Sequence, residues 1–174
     1  MTFRTQAICI VVFLLFSLTA SASAADFVKP NAQGIIQLFG KTEDGKTLQV
    51  RITLRHANQT DREEAHIQDC DKTGPDWWGA FDGPPDHIIS TFEVRIGKEF
   101  ISLFRSAYSD LADVRVVRLA TSKAGFVITV CGGDTGTAYN ARLCFKNGYL
   151  IGRDVTHNEM GLLEKTEYFP VRDN

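Results

Sequence analysis

The sequence predicts a mainly β protein, a single-domain antiparallel sandwich or barrel of about eight or nine strands with one short helix near residues 105–113. Apolar and polar residues alternate with a period of two, as where Leu48, Val50, Ile52 and Leu54 are interleaved with Gln49, Arg51, Thr53 and Arg55. That period marks a strand with one buried and one wet face. Turn signals also recur at short intervals, among them Asp44-Gly45, Gly97-Lys98 and Asn147-Gly148. Closely spaced strands joined by tight turns point to antiparallel pairing and away from βαβ units. Helical periodicity is nearly absent.

Ala25–Gln33 is a short polar lead-in containing Lys29-Pro30. Gly34–Gly40 (GIIQLFG) is the first strand-like run, Lys41–Gly45 turns the chain, and Lys46–His56 (KTLQVRITLRH) continues it. A D-G turn between two such runs is a hairpin signal. The pattern resumes at His87–Ile96 (HIISTFEVRI), turns at Gly97-Lys98 and runs on through Glu99–Phe104. Arg105–Asp113 (RSAYSDLAD) reads as the short helix, with Ser106 as its N-cap and Tyr108, Leu111 and Ala112 on its buried face. Val114–Ala120, Gly125–Cys131 and Thr137–Phe145 follow as strands. Asn147-Gly148, the clearest hairpin turn in the chain, leads into Tyr149–Val155, and a last run lies near Leu162–Phe169.

Residues 1–24 stand apart from this body. Arg4 in the head, the apolar run Ala7–Phe16 and the small residues Ala20–Ala24 have the layout of a secretory signal peptide with an A-x-A exit. The apolar run falls short of the roughly 20 residues that span a bilayer, and Cys9 lies too early in it to be a lipidated cysteine. Cleavage is expected after Ala24, leaving residues 25–174 as one β-rich domain, secreted or periplasmic, with no membrane insertion. Loss of Arg4 leaves 18 lysines and arginines against 21 aspartates and glutamates, a formal charge of −3. So weak a field argues against nucleic acid as a partner. Cys70, Cys131 and Cys144 remain; an oxidising compartment permits one disulfide among them, and the sequence leaves the pairing open.

Two stretches break the strand rhythm and hold the candidate binding residues. Ala57–Pro85 is polar at first and then aromatic and rich in glycine and proline (PDWWGAFDGPP), a long connection of the kind that is often functional. Trp77 and Trp78 offer flat apolar faces with one N–H each, able to stack on sugar rings or anchor a protein. Asp82, with Asp76 and Asp86 nearby, adds acceptors for hydroxyl groups. The competing explanation is that the indoles plug one end of the β structure. The second stretch is Gly132–Tyr139 (GGDTGTAY), containing Asp134 and Tyr139, where three glycines permit backbone conformations that expose N–H groups to an anion. It lacks the Gly-Lys-Ser/Thr ending of a P-loop. Within it, Thr135-Gly136-Thr137-Ala138-Tyr139 resembles the Ser-Gly-x-x-Tyr loop of bacterial periplasmic lysozyme inhibitors, with Thr in place of Ser. The resemblance covers five residues and implies inhibition of a foreign hydrolase such as lysozyme.

Signals for chemistry are weaker. Asp69-Cys70-Asp71-Lys72-Thr73-Gly74 has the oxygen spacing of the first half of a calcium loop, but Ala80 stands where the bidentate Glu belongs, so no metal or other cofactor is expected. There is no G-x-S-x-G and no H-E-x-x-H, and His56, His66, His87 and His157 are scattered. An envelope or extracellular hydrolase would have to draw on His66, Cys70, Asp71 and His87. Asn58-Gln59-Thr60 is a formal glycosylation sequon. The balance favours an exported binding module, holding a polysaccharide or a protein partner, over an enzyme.

Overall fold

Alternation builds both layers. In a computed structural model that describes residues 26–61, 77–80, 84–157, 161 and 163–169, the described residues form nine strands in two antiparallel sheets. The first sheet has the order β1 (Ile35–Lys41), β2 (Thr47–His56), β3 (His87–Ile96) and β4 (Glu99–Ile101). The second runs β5 (Val114–Ser122), β6 (Gly125–Gly132), β7 (Tyr139–Lys146), β8 (Tyr149–His157) and β9 (Leu163–Tyr168). The leader, the segment holding His66, Cys70 and Asp71, and Asp82 lie outside the described residues.

The longer strands turn an alternating apolar set to the space between the sheets. Ile36 and Leu38 of β1, the four alternating β2 residues and Phe92 and Val94 of β3 meet Val117 and Leu119 of β5, Ile128 and Val130 of β6 and Leu143 of β7. Two β-bulges alter this pattern where it matters. In β3 the register with β2 slips so that Thr53 faces Thr91 and Leu54 faces Ile89, leaving Ser90 as the extra residue. Its hydroxyl donates to the Thr53 carbonyl at 2.9 Å. Ile89 therefore joins the main core while Ile88 falls into a small second cluster with Ala57 and Ala112. In β5, Val114 pairs with Gly132 and Val116 with Cys131, so Arg115 is the extra residue and is turned outward. Bulges commonly re-aim a side chain in this way.

The sheets remain separate, which makes the architecture a sandwich and not a closed barrel. One side is sealed by backbone: Val28 and Val117 exchange both N–H···O bonds, at 2.8 and 2.9 Å. On the other side, Phe104 after β4 stacks on Phe169 after β9, with ring centres 6.1 Å apart and planes 9° from parallel.

The helix expected over 105–113 is a single 3-10 turn, Arg105–Ala107. Phe104 stands at the cap position with no side-chain cap bond, so Ser106 does not play that part. The reason lies in tertiary bonds. Two carbonyls that a helix over 105–113 would use internally are taken by other elements, Ser106 O by Arg153 and Ser109 O by Trp77, and Ala112 O accepts from Tyr139. Ala107, Leu111 and Ala112 are nonetheless fully buried, and Tyr108 is half-buried.

Candidate functional site

The two irregular stretches singled out in the sequence meet at one end of the sandwich. Gly79 and Gly133 lie back to back, both with positive φ (98° and 69°). A Cβ on Gly79 would sit 2.7 Å from the Ala112 carbonyl oxygen and 2.9 Å from the Tyr139 ring, and one on Gly133 would sit 2.4 Å from the Thr137 carbonyl oxygen. These glycines thus serve close packing. The Thr137 hydroxyl donates to the Gly79 carbonyl at 3.2 Å and ties the loops together. The N–H groups of Gly133, Asp134 and Thr137 are all bonded internally, to Asp113 O, Thr137 Oγ1 and Asp134 O.

The aromatic residues hold this junction from below. Tyr139 is buried, and its hydroxyl donates to Ala112 O at 2.9 Å. Burial pushes its phenol well above the ordinary value of 10. Trp77 is half-buried against the second cluster and donates its indole N–H to Ser109 O at 3.3 Å. Trp78 is half-buried against the main core, and its backbone bonds with Asp110 O and Ala112 N, at 2.8 and 2.9 Å. The segment that resembles the inhibitor loop is a tight turn closed by Thr137 N–H to Asp134 O at 2.7 Å.

Above the junction opens a cleft of about 570 Å³, with Asp86, His87, Asp113, Arg115 and Asp134 in its lining. Asp113 organises it. Its backbone is left-handed at φ 46°, and its carboxylate accepts the His87 N–H at 2.8 Å and the Asp86 N–H at 3.4 Å. Its own N–H donates to His87 O and its carbonyl accepts from Gly133, at 2.9 and 3.1 Å. Desolvation raises the Asp113 carboxyl above its ordinary 3.8, opposed by those backbone donors. The His87 ring lies 4.2 Å from that of His56, centre to centre, and its Nδ1 is 3.9 Å from Asp113 Oδ1. That distance exceeds hydrogen-bond reach.

Arg115, delivered by the β5 bulge, separates this cleft from an adjoining groove of about 550 Å³. Lys29, Val116, Cys131 and Ala138 line the groove, while Pro30, Arg115 and Gly133 belong to both depressions. Cys131 and Cys144 are free thiols, half-buried and raised in pKa by that burial. Cys131 faces Asn140, four residues short of Cys144 on β7. At about 3.4 Å per residue they lie well beyond the Cα separation of about 7 Å that a disulfide tolerates. Among the described residues no group of three His, Cys, Asp or Glu could hold a metal ion.

Of the candidates taken from the sequence, Asp134 lines the cleft, Trp77, Trp78 and Tyr139 sit in the scaffold beneath it, and Asp82 lies outside the described residues. Of the hydrolase set, His87 is in the cleft and His66, Cys70 and Asp71 lie outside the described residues. Asp113 and Arg115 were not anticipated. The signal for Arg115 was present: in Val114-Arg115-Val116-Val117 the alternation changes phase, as a bulge requires. Comparison of the chain with protein-family models, with curated proteins and with solved structures finds no match.

Proposed function

We propose that this chain is an exported binding module and that its ligand lies in the cleft above the junction of the 77–80 and 132–139 loops. One observation carries the reading. Two loops distant in sequence are bonded to each other and to the 105–113 segment, and the cleft they bound carries ionisable side chains on a preorganised frame. Such a frame loses little conformational entropy on binding, and convergent polar groups in a concave site are the usual form of a ligand pocket. Trp77 and Trp78 act as supports for the cleft and not as stacking platforms.

The test is an amide-resolved NMR titration of the purified protein with two probe sets, soluble oligosaccharides and short peptides. Saturable shifts centred on Gly79, Asp113, Gly133 and Asp134, abolished in Asp134→Asn/Asp113→Asn, are expected for one set. Shifts confined to the outer sheet faces, or no saturable shift with either set, would overturn the reading.

A further inference from the structure

We infer that the occupant is a short peptide that ends in a free carboxylate and carries one cationic side chain; this rests on the binding-module reading above. The cleft and the groove adjoin across Pro30, Arg115 and Gly133, and their charges differ. Among the described residues, Asp86, Asp113 and Asp134 line the cleft with His87, and its one arginine or lysine is Arg115, at the border with the groove. Among the described residues, Lys29 and Arg115 are the charged residues of the groove, with no carboxylate in its lining. Among the described residues the side chains of Arg115 and Lys29 have no hydrogen-bond or ion-pair partner, so the bulge holds out an uncommitted guanidinium at the boundary.

These facts narrow the chemistry. A polyanion would meet three carboxylates, a polycation would meet Lys29 and Arg115, and like charges brought together are disfavoured. A neutral glycan would leave the guanidinium unused. A dipolar chain satisfies cleft and groove at once, its carboxylate taken by Arg115 in the fork geometry that guanidinium favours. Each depression alone falls within the roughly 300–1,000 Å³ of a small-ligand site, so a single amino acid would occupy only one of them. Pro30, Val116 and Ala138 give the groove an apolar wall that suits the uncharged residues of a peptide.

The experiment is calorimetric titration of the purified protein with alanine pentapeptides that carry one lysine, placed at each position in turn. Each is made with a free and with an amidated C-terminus. In the best lysine register the free acid is expected to bind about five- to tenfold more tightly than the amide. Replacing that lysine with norleucine should cost a similar factor. Arg115→Gln should erase the distinction between acid and amide while keeping the lysine preference, and Asp113→Asn/Asp134→Asn should do the reverse. Arg115 makes no internal contact that folding depends on, so its variant stays interpretable, and native amide spectra would verify this. Equal affinity for acid and amide, or an Arg115→Gln variant that still discriminates, overturns the inference. Neutral oligosaccharides shifting Gly79 and Gly133 while no peptide binds would overturn it too, yet leave the binding-module reading standing. No saturable binding of either kind removes both.

Discussion

At the scale of single residues, the cleft rests on two side chains that work from opposite sides of one short segment. Tyr139 reaches up from β7 to the Ala112 carbonyl, and Asp113 reaches across to the start of β3. Tyr139→Phe removes the donor and leaves a buried carbonyl short of a partner, at a cost of about 1–2 kcal/mol near neutral pH. The Tyr139 phenol titrates far higher in the folded than in the unfolded chain, so its stabilising effect is complete below its ordinary value of 10 and drains away as pH rises above it. Denaturant unfolding should therefore show the gap between wild type and Tyr139→Phe narrowing above pH 10; a constant gap would mean the phenol ionises in the native state. Asp113 has the same sign from a weaker cause. Its folded carboxyl is raised, so wild type should lose stability relative to Asp113→Asn as pH climbs from 3.8 through the raised value and change no further beyond it. Asn tolerates the left-handed backbone and can still accept the His87 N–H. Asp113→Ala keeps neither advantage and should cost about 1–3 kcal/mol at all pH values where the carboxylate is charged.

At the scale of elements, the 105–113 segment is held by β8 through Arg153. That guanidinium is buried, with a bidentate pair to Asp110 at 2.7 and 2.6 Å and a bond to Ser106 O at 3.1 Å. Lys165 and Glu167 of β9 complete the cluster. Removing one member of a buried pair costs about 3–5 kcal/mol because the other charge is left uncompensated. Asp110→Ala should fall in that range. Arg153→Met/Asp110→Ala should cost less than the sum of the two single changes, and Trp77 fluorescence should report any loosening of the segment that its indole touches. Additive losses would show that the pair does not act as a unit. This cluster also marks where sequence reasoning stops. The nine strands were legible because alternation and turn residues are local: β3 has the boundaries the pattern predicts, and Asn147-Gly148 does turn the chain between β7 and β8. RSAYSDLAD does hold a short helix, but only over Arg105–Ala107, because carbonyls beyond its first residue are claimed by Arg153, Trp77 and Tyr139, none of which is near in sequence. The same blindness hid Asp113. Composition marks the two glycine-bearing loops as irregular, whereas their meeting and the packing of their aromatic residues depend on contacts that composition does not encode.

At the scale of the whole molecule, sandwich and barrel could not be separated from sequence because they differ only in what happens at the sheet edges. Here the edges are closed unequally. On the β1 and β5 side, Val28 adds a backbone bridge to Val117, and Gly40 lets β1 settle on Leu119, where a Cβ would come within 3.0 Å of its side chain. On the β4 and β9 side the Phe104–Phe169 stack joins the layers, one ring more than half exposed, beside an edge strand that presents Leu163 and Tyr168 to solvent. An edge held by side chains alone should open more readily than one held by backbone bonds. Phe104→Ala and Phe169→Ala should each destabilise the fold, and the double variant should reveal a coupling of about 0.5–1.5 kcal/mol, the worth of a stacked aromatic pair beyond its buried area. Hydrogen exchange gives the sharper reading. In either single variant the amides of β9 should exchange faster while those of β1 and β5 keep their protection, and the freed edge should promote concentration-dependent association. Uniform acceleration across both sheets would show instead that the molecule opens as one unit and that the phenylalanine pair has no special hold on this side.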